Sequence, residues 1–269
     1  MLVVAVLAGL LIGLSLGALG GGGSILAVPA LVYLLDQSAV AATTGALLVV
    51  GISAATGAVA AWRQGQVYVG RGLVFGLVGT VGAAAGATWS VHVDPDLLLA
   101  CFAALMLVVA VVMLARQRGG ARERLSPQVD EPIIQVSPTF FCNCPRALKV
   151  LVTALVVGTL TGFLGVGGGF LVVPALVLAL ALPMPVAVGT SLLVITVNSA
   201  AAFAVRLGHG VELDWAVVGL LTAAAVLGSL LGARVAARLD PRTLGLAFSV
   251  LLLGVAGYTA WQSLPALLA

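Results

Sequence analysis

The stretch GALGGGGSILAVPAL, Gly17–Leu31, sets four consecutive glycines inside an otherwise apolar run, and GFLGVGGGFLVVPAL, Gly162–Leu176, repeats it 145 residues later. Glycine in a helix interior costs roughly 0.5–1 kcal/mol relative to alanine. Residues 1–35 as one helix would extend about 50 Å at 1.5 Å per residue, well beyond the roughly 30 Å of a bilayer core. A break at Gly20–Gly23 divides the run into the two arms of a helical hairpin, and Gly165–Gly169 divides its copy.

The offset holds beyond these stretches. Pro29 pairs with Pro174, Leu47–Val49 with Leu192–Val194, and Gly65 with Gly210. Further on it becomes 146, pairing Gly82 with Gly228, Gly86 with Gly232 and Asp94-Pro95 with Asp240-Pro241. The chain is one unit written twice. Each unit predicts a glycine-broken hairpin (1–35 and 148–182) followed by three spans, near 39–61, 71–91 and 96–115, then 185–206, 214–235 and 242–262. Repeats occupy 1–115 and 148–269. The polar, proline-containing segment 116–147 reads as a linker.

Composition sets the environment. Of 269 residues, 62% are hydrophobic and 8% charged, against about 25% charged in a soluble domain. With a mean hydropathy of +1.24, the chain reads as an all-α polytopic membrane protein whose surroundings are lipid. Nothing in it points to nucleic acid, and a homodimer is compatible with it. The opening residues lack a basic n-region and read as retained structure rather than a signal peptide. Cys101 falls in a span, and Cys142 and Cys144 share the linker, with no further Cys or His to complete a metal site. No cofactor is expected.

Lys and Arg placement orients the spans. The linker arginines with Lys149, the Arg63–Arg71 connection, and the connection carrying Arg234, Arg238 and Arg242 are expected in the cytoplasm. The turn with His92, Asp94 and Asp96, and the connection with Arg206, Glu212 and Asp214, are expected outside. Arg63 and its counterpart near Arg206 thus lie on opposite sides, so the halves read as inverted repeats. Inversion requires an odd number of crossings per half, which three spans and a same-side hairpin satisfy.

Non-helical backbone at membrane depth must be buried in protein or line a cavity. Paired breaks in inverted halves point to a midplane substrate site. A helix restarts after each break, near Ser24 and near Phe170, with unpartnered first amides and about half a positive charge at its end; this chemistry suits a small oxyanion. The expected substrate-binding residues are Gly20, Gly21, Gly22, Gly23, Ser24 and Thr44 from the first half. From the second half they are Gly165, Gly167, Gly168, Gly169, Thr190, Ser191 and Asn198. Thr43, Ser53, Thr196 and Ser199 are further polar groups in the spans, and Asn198 aligns with Ser53. Helix–helix hydrogen bonding is the competing use of such side chains, and close helix packing that of the glycines. No Asp, Glu or Lys falls at the centre of a span, so no carboxylate proton relay is visible.

The paired GALGGGGSILAVP and GFLGVGGGFLVVP, the TSLLV at Thr190–Val194 and the GHGV at Gly208–Val211 resemble the TauE/SafE sulfite-exporter family over about residues 8–262. The resemblance implies a permease of the bacterial inner membrane that moves small sulfur-containing anions such as sulfite and sulfonates, without enzyme activity. The first half departs from the pattern, reading TGALLV (Thr44–Val49) where the second has TSLLV, so one hydroxyl is absent. A secondary transporter, in the export sense, working by alternating access around the two tips is the expected function. A passive anion channel with the same donors is the alternative. An intramembrane serine protease is disfavoured because His92 and His209 lie near span ends, away from any buried nucleophile.

Overall fold

A computed structural model describes residues 2–90, 95–118, 144–164, 169–207 and 213–268. The His92 and His209 turns, the linker from 119 to 143 and the tip glycines Gly165, Gly167 and Gly168 lie outside the described residues. Within them the fold is all-helical: α1 Leu2–Leu19, α2 Gly22–Pro29, α3 Ala39–Arg63, α4 Val69–Ser90, α5 Pro95–Arg118, α6 Cys144–Leu164, α7 Gly169–Leu178, α8 Met184–Leu207, α9 Trp215–Ala236 and α10 Pro241–Leu268. A π-helical turn, Ala30–Leu34, continues α2 past Pro29. Among the described residues, five helices are long and apolar enough to cross a membrane: those covering Ala41–Arg63, Val69–Trp89, Met184–Val205, Trp215–Ala236 and Pro241–Tyr258. Shorter apolar helices make up the hairpins and α5.

Each predicted span corresponds to an observed helix with ends shifted by a few residues, and each predicted break separates two helices. The restarts come slightly early, at Gly22 rather than Ser24 and at Gly169 rather than Phe170, because glycine itself can occupy the first helical turn.

Exchanging α1–α5 with α6–α10 leaves the main packing pairs unchanged. α1 packs on α9 as α6 packs on α4, α3 on α9 as α8 on α4, and α5 pairs with α10 and α3 with α8. Glycine makes the closest of these contacts. Gly9 lies against Leu221 and Gly17 against Ser229, so α1 and α9 run parallel; Gly79 against Gly158 and Gly86 against Phe163 make α4 and α6 parallel too. α3 runs parallel to α9 through Gly45 beside Val218 and Gly57 beside Ser229. By contrast, α3 and its repeat counterpart α8 cross antiparallel, with Gly51 beside Ser199, Gly57 beside Leu192 and Gly189 beside Ala61.

These directions sort the ends of the bundle. Arg63, Arg71, Lys149, Arg234, Arg238 and Arg242 fall at the end where α3 and α9 finish and α4, α6 and α8 begin. The opposite end receives Asp36, the end of α8 and Asp214, whose carboxylate caps α9 by accepting from the amides of Ala216 and Val217 at 3.1 and 3.2 Å. The first hairpin enters and leaves at this opposite end, because α1 and α3 both begin beside the start of α9.

The repeat extends to backbone detail. Asp36 and Ala181, 145 residues apart, both take left-handed φ, of 50° and 52°. Beside them Gln37 donates its amide to the Leu31 carbonyl at 3.0 Å, and Leu182 donates to Leu176 at 3.1 Å. Both second arms end in the same turn, although neither residue in it is glycine.

Candidate functional site

The first hairpin tip meets the start of α7 inside the bundle. Gly20 closes that tip with φ of +73°, a conformation glycine adopts without penalty. A Cβ there would stand 2.5 Å from the Ser191 hydroxyl oxygen and 2.9 Å from Val188 Cα. At Gly21 a Cβ would strike the carbonyl oxygen of Gly169, and at Gly23 that of Ile12. Gly22 is the least crowded of the four, with Leu251 at 3.3 Å. Gly169 in turn lies against the Ser24 hydroxyl and Ile195. Ile195 is eleven residues from the start of α8, about 17 Å along the helix, so the first tip and the start of α7 touch near its middle.

Gly20–Ser24 and Gly169 are all buried. The Ser24 hydroxyl donates back to the Gly21 carbonyl at 2.7 Å rather than capping α2, which has no side-chain cap. The amides of Gly22 and Gly23 therefore open α2 at the positive end of its dipole. The Ser191 hydroxyl, fully buried, lies 2.8 Å from the carbonyl of Gly20 and 2.8 Å from that of Val188. It has one hydrogen, so it donates to one carbonyl at a time. Its repeat counterpart is Ala46, with no hydroxyl.

Two other expected site residues face elsewhere. Thr190, also fully buried, accepts the Tyr68 amide at 3.2 Å and so holds the α3–α4 turn against α8. Asn198 accepts from Thr80 of α4 at 2.9 Å, which is the helix-bridging use of a membrane amide. Thr44 is buried in α3 and engaged in a polar interaction of its own. The structure thus groups Gly20–Ser24, Gly169 and Ser191, and places Thr190 and Asn198 on the neighbouring helix interface.

Sequence reading missed Thr80 and Ser229. Ser229 donates to the Ser53 carbonyl at 2.9 Å across the α3–α9 contact, as Thr80 bridges to Asn198 across α4–α8. Single hydroxyls one turn from packing glycines are the signal that could have found them. The Ser53 hydroxyl, at the position equivalent to Asn198, is buried without a hydrogen-bond partner, as is that of Thr161. Among the described residues no cluster of His, Cys, Asp or Glu could hold a metal ion.

A narrow cleft with a cavity volume of about 10 Å3, room for about one water, lies at the Arg-rich end. Gln64 and Gln66 line it with Ala61, Pro185, Gly189, Ala233, Ala236 and Leu244, and it reaches Gly17, Val188 and Leu192 beside the first tip.

Spanning apolar helices, an exchangeable pair of halves and two buried helix openings meeting between them define a multi-pass membrane transporter. The sulfite exporter TauE/SafE family model matches residues 5–259, and the chain belongs to that family. It is 33% identical over 272 residues to a probable membrane transporter protein of Xylella fastidiosa strain 9a5c, covering 100% of this chain and 98% of that one. A protein of the same description from strain Temecula1 is 35% identical over 277 residues, with the same coverage. The probable membrane transporter protein YunE of Bacillus subtilis is 24% identical over 258 residues, covering 93% of this chain and 94% of that one. No solved structure matches the chain.

Proposed function

We propose that the protein is a secondary transporter of small sulfur-containing anions, sulfite or sulfonates, working in the export sense by alternating access around the two tips. The observation that carries this is the contact of Gly21 with Gly169 inside the bundle: two buried helix openings face one another between halves that exchange. A small oxyanion between them would accept from the backbone amides of Gly22 and Gly23 and from those opening α7; Gly165, Gly167 and Gly168 are the further donors expected from the sequence of the second half. The Ser24 and Ser191 hydroxyls are the nearest side-chain donors. Thr44, Thr190 and Asn198 support the helices that carry the tips.

The halves are inverted repeats, 1–115 and 148–269, joined by a cytoplasmic linker at 116–147; the antiparallel crossing of α3 and α8 supports this reading. Gathering of the arginines at one end supports a cytoplasmic assignment of that end in a bacterial inner membrane. The tight backbone contact between tips favours a carrier over a channel, since an anion passes only when the tips part.

Flux of sulfite, sulfate, thiosulfate and a sulfonate into proteoliposomes, with and without a proton gradient, tests the proposal. Saturable flux with counterflow of a sulfur anion is expected. If none of these anions moves or binds, the substrate class is wrong; unsaturable flux without counterflow would make the protein a channel.

A further inference from the structure

We infer that the cleft at the Arg-rich end is an entry site for the transported anion. Gln64 would be the donor that meets the anion, and the Ser191–Gly20 hydrogen bond would be the closure at the cleft's inner end. The inference rests on the functional reading above and adds a site and a path to it.

The cleft wall is continuous with the tip. Val188 lines the cleft, and its Cα lies against Gly20; Gly17, one turn before Gly20, lines it as well. An anion at the mouth of this narrow cleft is therefore separated from the amides that open α2 by the seated tip, and the cleft admits it further only when that tip withdraws. The lining is apolar apart from Gln64 and Gln66. Glutamine offers two neutral N–H donors, so an anion gains hydrogen bonds without the deep electrostatic trap of a buried cation. Weak, uncharged donors suit a place that must be left as easily as it is entered. The guanidinium groups stand back from it: Arg63, Arg234 and Arg238 are exposed at this end. There they raise the local anion concentration in a way that salt screens.

The floor is fixed and the inner wall is releasable. The α3–α4 turn is locked by Gly65, with φ of +73°, by Gln66 donating its amide to Ala61 at 3.0 Å and by the Tyr68–Thr190 bond. Ser191 is different, because the hydrogen it gives Gly20 can be given to Val188 of its own helix instead. Withdrawal of the tip leaves the hydroxyl satisfied and exposes the α2 amides to the cleft.

The test uses the sign of charge at an exposed position. In proteoliposomes with [35S]sulfite below saturation, Q64K should raise flux several-fold and Q64E should lower it several-fold. Both differences should shrink at high salt and at saturating sulfite, with thermal stability matching wild type. In a background with Cys101, Cys142 and Cys144 changed to serine, Gln64→Cys should react with a membrane-impermeant maleimide from the Arg-rich side alone. Equal behaviour of Q64K and Q64E, or a loss that saturating sulfite does not restore, overturns the entry site while leaving transport intact. Wild-type protein that moves no sulfite fails at the earlier step, and the entry site falls with it.

Discussion

Gly21 is the residue on which the meeting of the tips depends most directly. Its Cα faces backbone, the Gly169 carbonyl, which cannot swing aside as a side chain can. Gly21→Ala should therefore abolish transport and lower the yield of folded protein, whereas Gly70→Ala, with nothing within 4 Å, should be neutral in the same flux and melting assays. Gly20→Ala adds backbone strain of roughly 1–2 kcal/mol to its clash with Ser191. Asn198→Leu should leave the protein folded and lower sulfite flux only modestly, because its amide bridges α8 to α4 rather than facing the tips; abolished flux in folded protein would return Asn198 to the substrate site. A double-mutant cycle with Thr80→Val should give a coupling of about 0.6 kcal/mol, the mean for hydrogen bonds between membrane helices. At this scale the sequence was only partly legible. A glycine run announces a break and close backbone, but whether a buried Thr or Asn serves a ligand or a neighbouring helix depends on which helix lies alongside. Thr190 and Asn198 turned to α4, and their spacing from Ser191 in the chain says nothing of that.

Among the elements, α1 on α9 and α6 on α4 are equivalent unions of glycine stripes with backbone. A Cβ at Gly17 would reach the Ser229 backbone, and one at Gly162 the Ala83 backbone. Gly17→Val and Gly162→Val should each cost about 1–3 kcal/mol through overpacking and lower the midpoint of thermal unfolding in detergent by similar amounts. A large loss at one site and none at the other would deny the equivalence of the two unions. The helices themselves were readable from the chain because each span is long, apolar and bounded by charge, glycine or proline. Partners were not. That α1 packs on α9, rather than on its sequence neighbours alone, follows from matching two stripes of small residues 212 positions apart in the chain, as Gly17 is from Ser229. The π-helical turn after Pro29 also left no sign, since its copy Pro174 sits in an ordinary α-helix.

Over the whole molecule, direction is the property most open to measurement. With the native cysteines replaced by serine, Arg63→Cys should be labelled by an impermeant maleimide from the cytoplasmic side and Asp214→Cys, in the repeat-equivalent connection, from the external side. Labelling of both from one side would undo the inversion. The arginine pattern carried this reading from sequence, because lysine and arginine placement reports orientation even where helix packing is invisible.

One hydroxyl breaks the equality of the halves. Ser191 holds Gly20, while Ala46 has nothing to offer in the corresponding place. Because Ser191 can give its hydrogen to Val188 when the tip withdraws, the latch adds less than the about 0.5–1.5 kcal/mol net of a whole buried hydrogen bond, and tilts a two-state equilibrium by at most several-fold. Two copies without this difference would spend equal time with either tip seated. On the alternating-access reading proposed above, the resting population would lean toward the state in which the first tip is latched. That lean would not alter the final gradient the protein permits. It would decide on which side an idle molecule is found waiting.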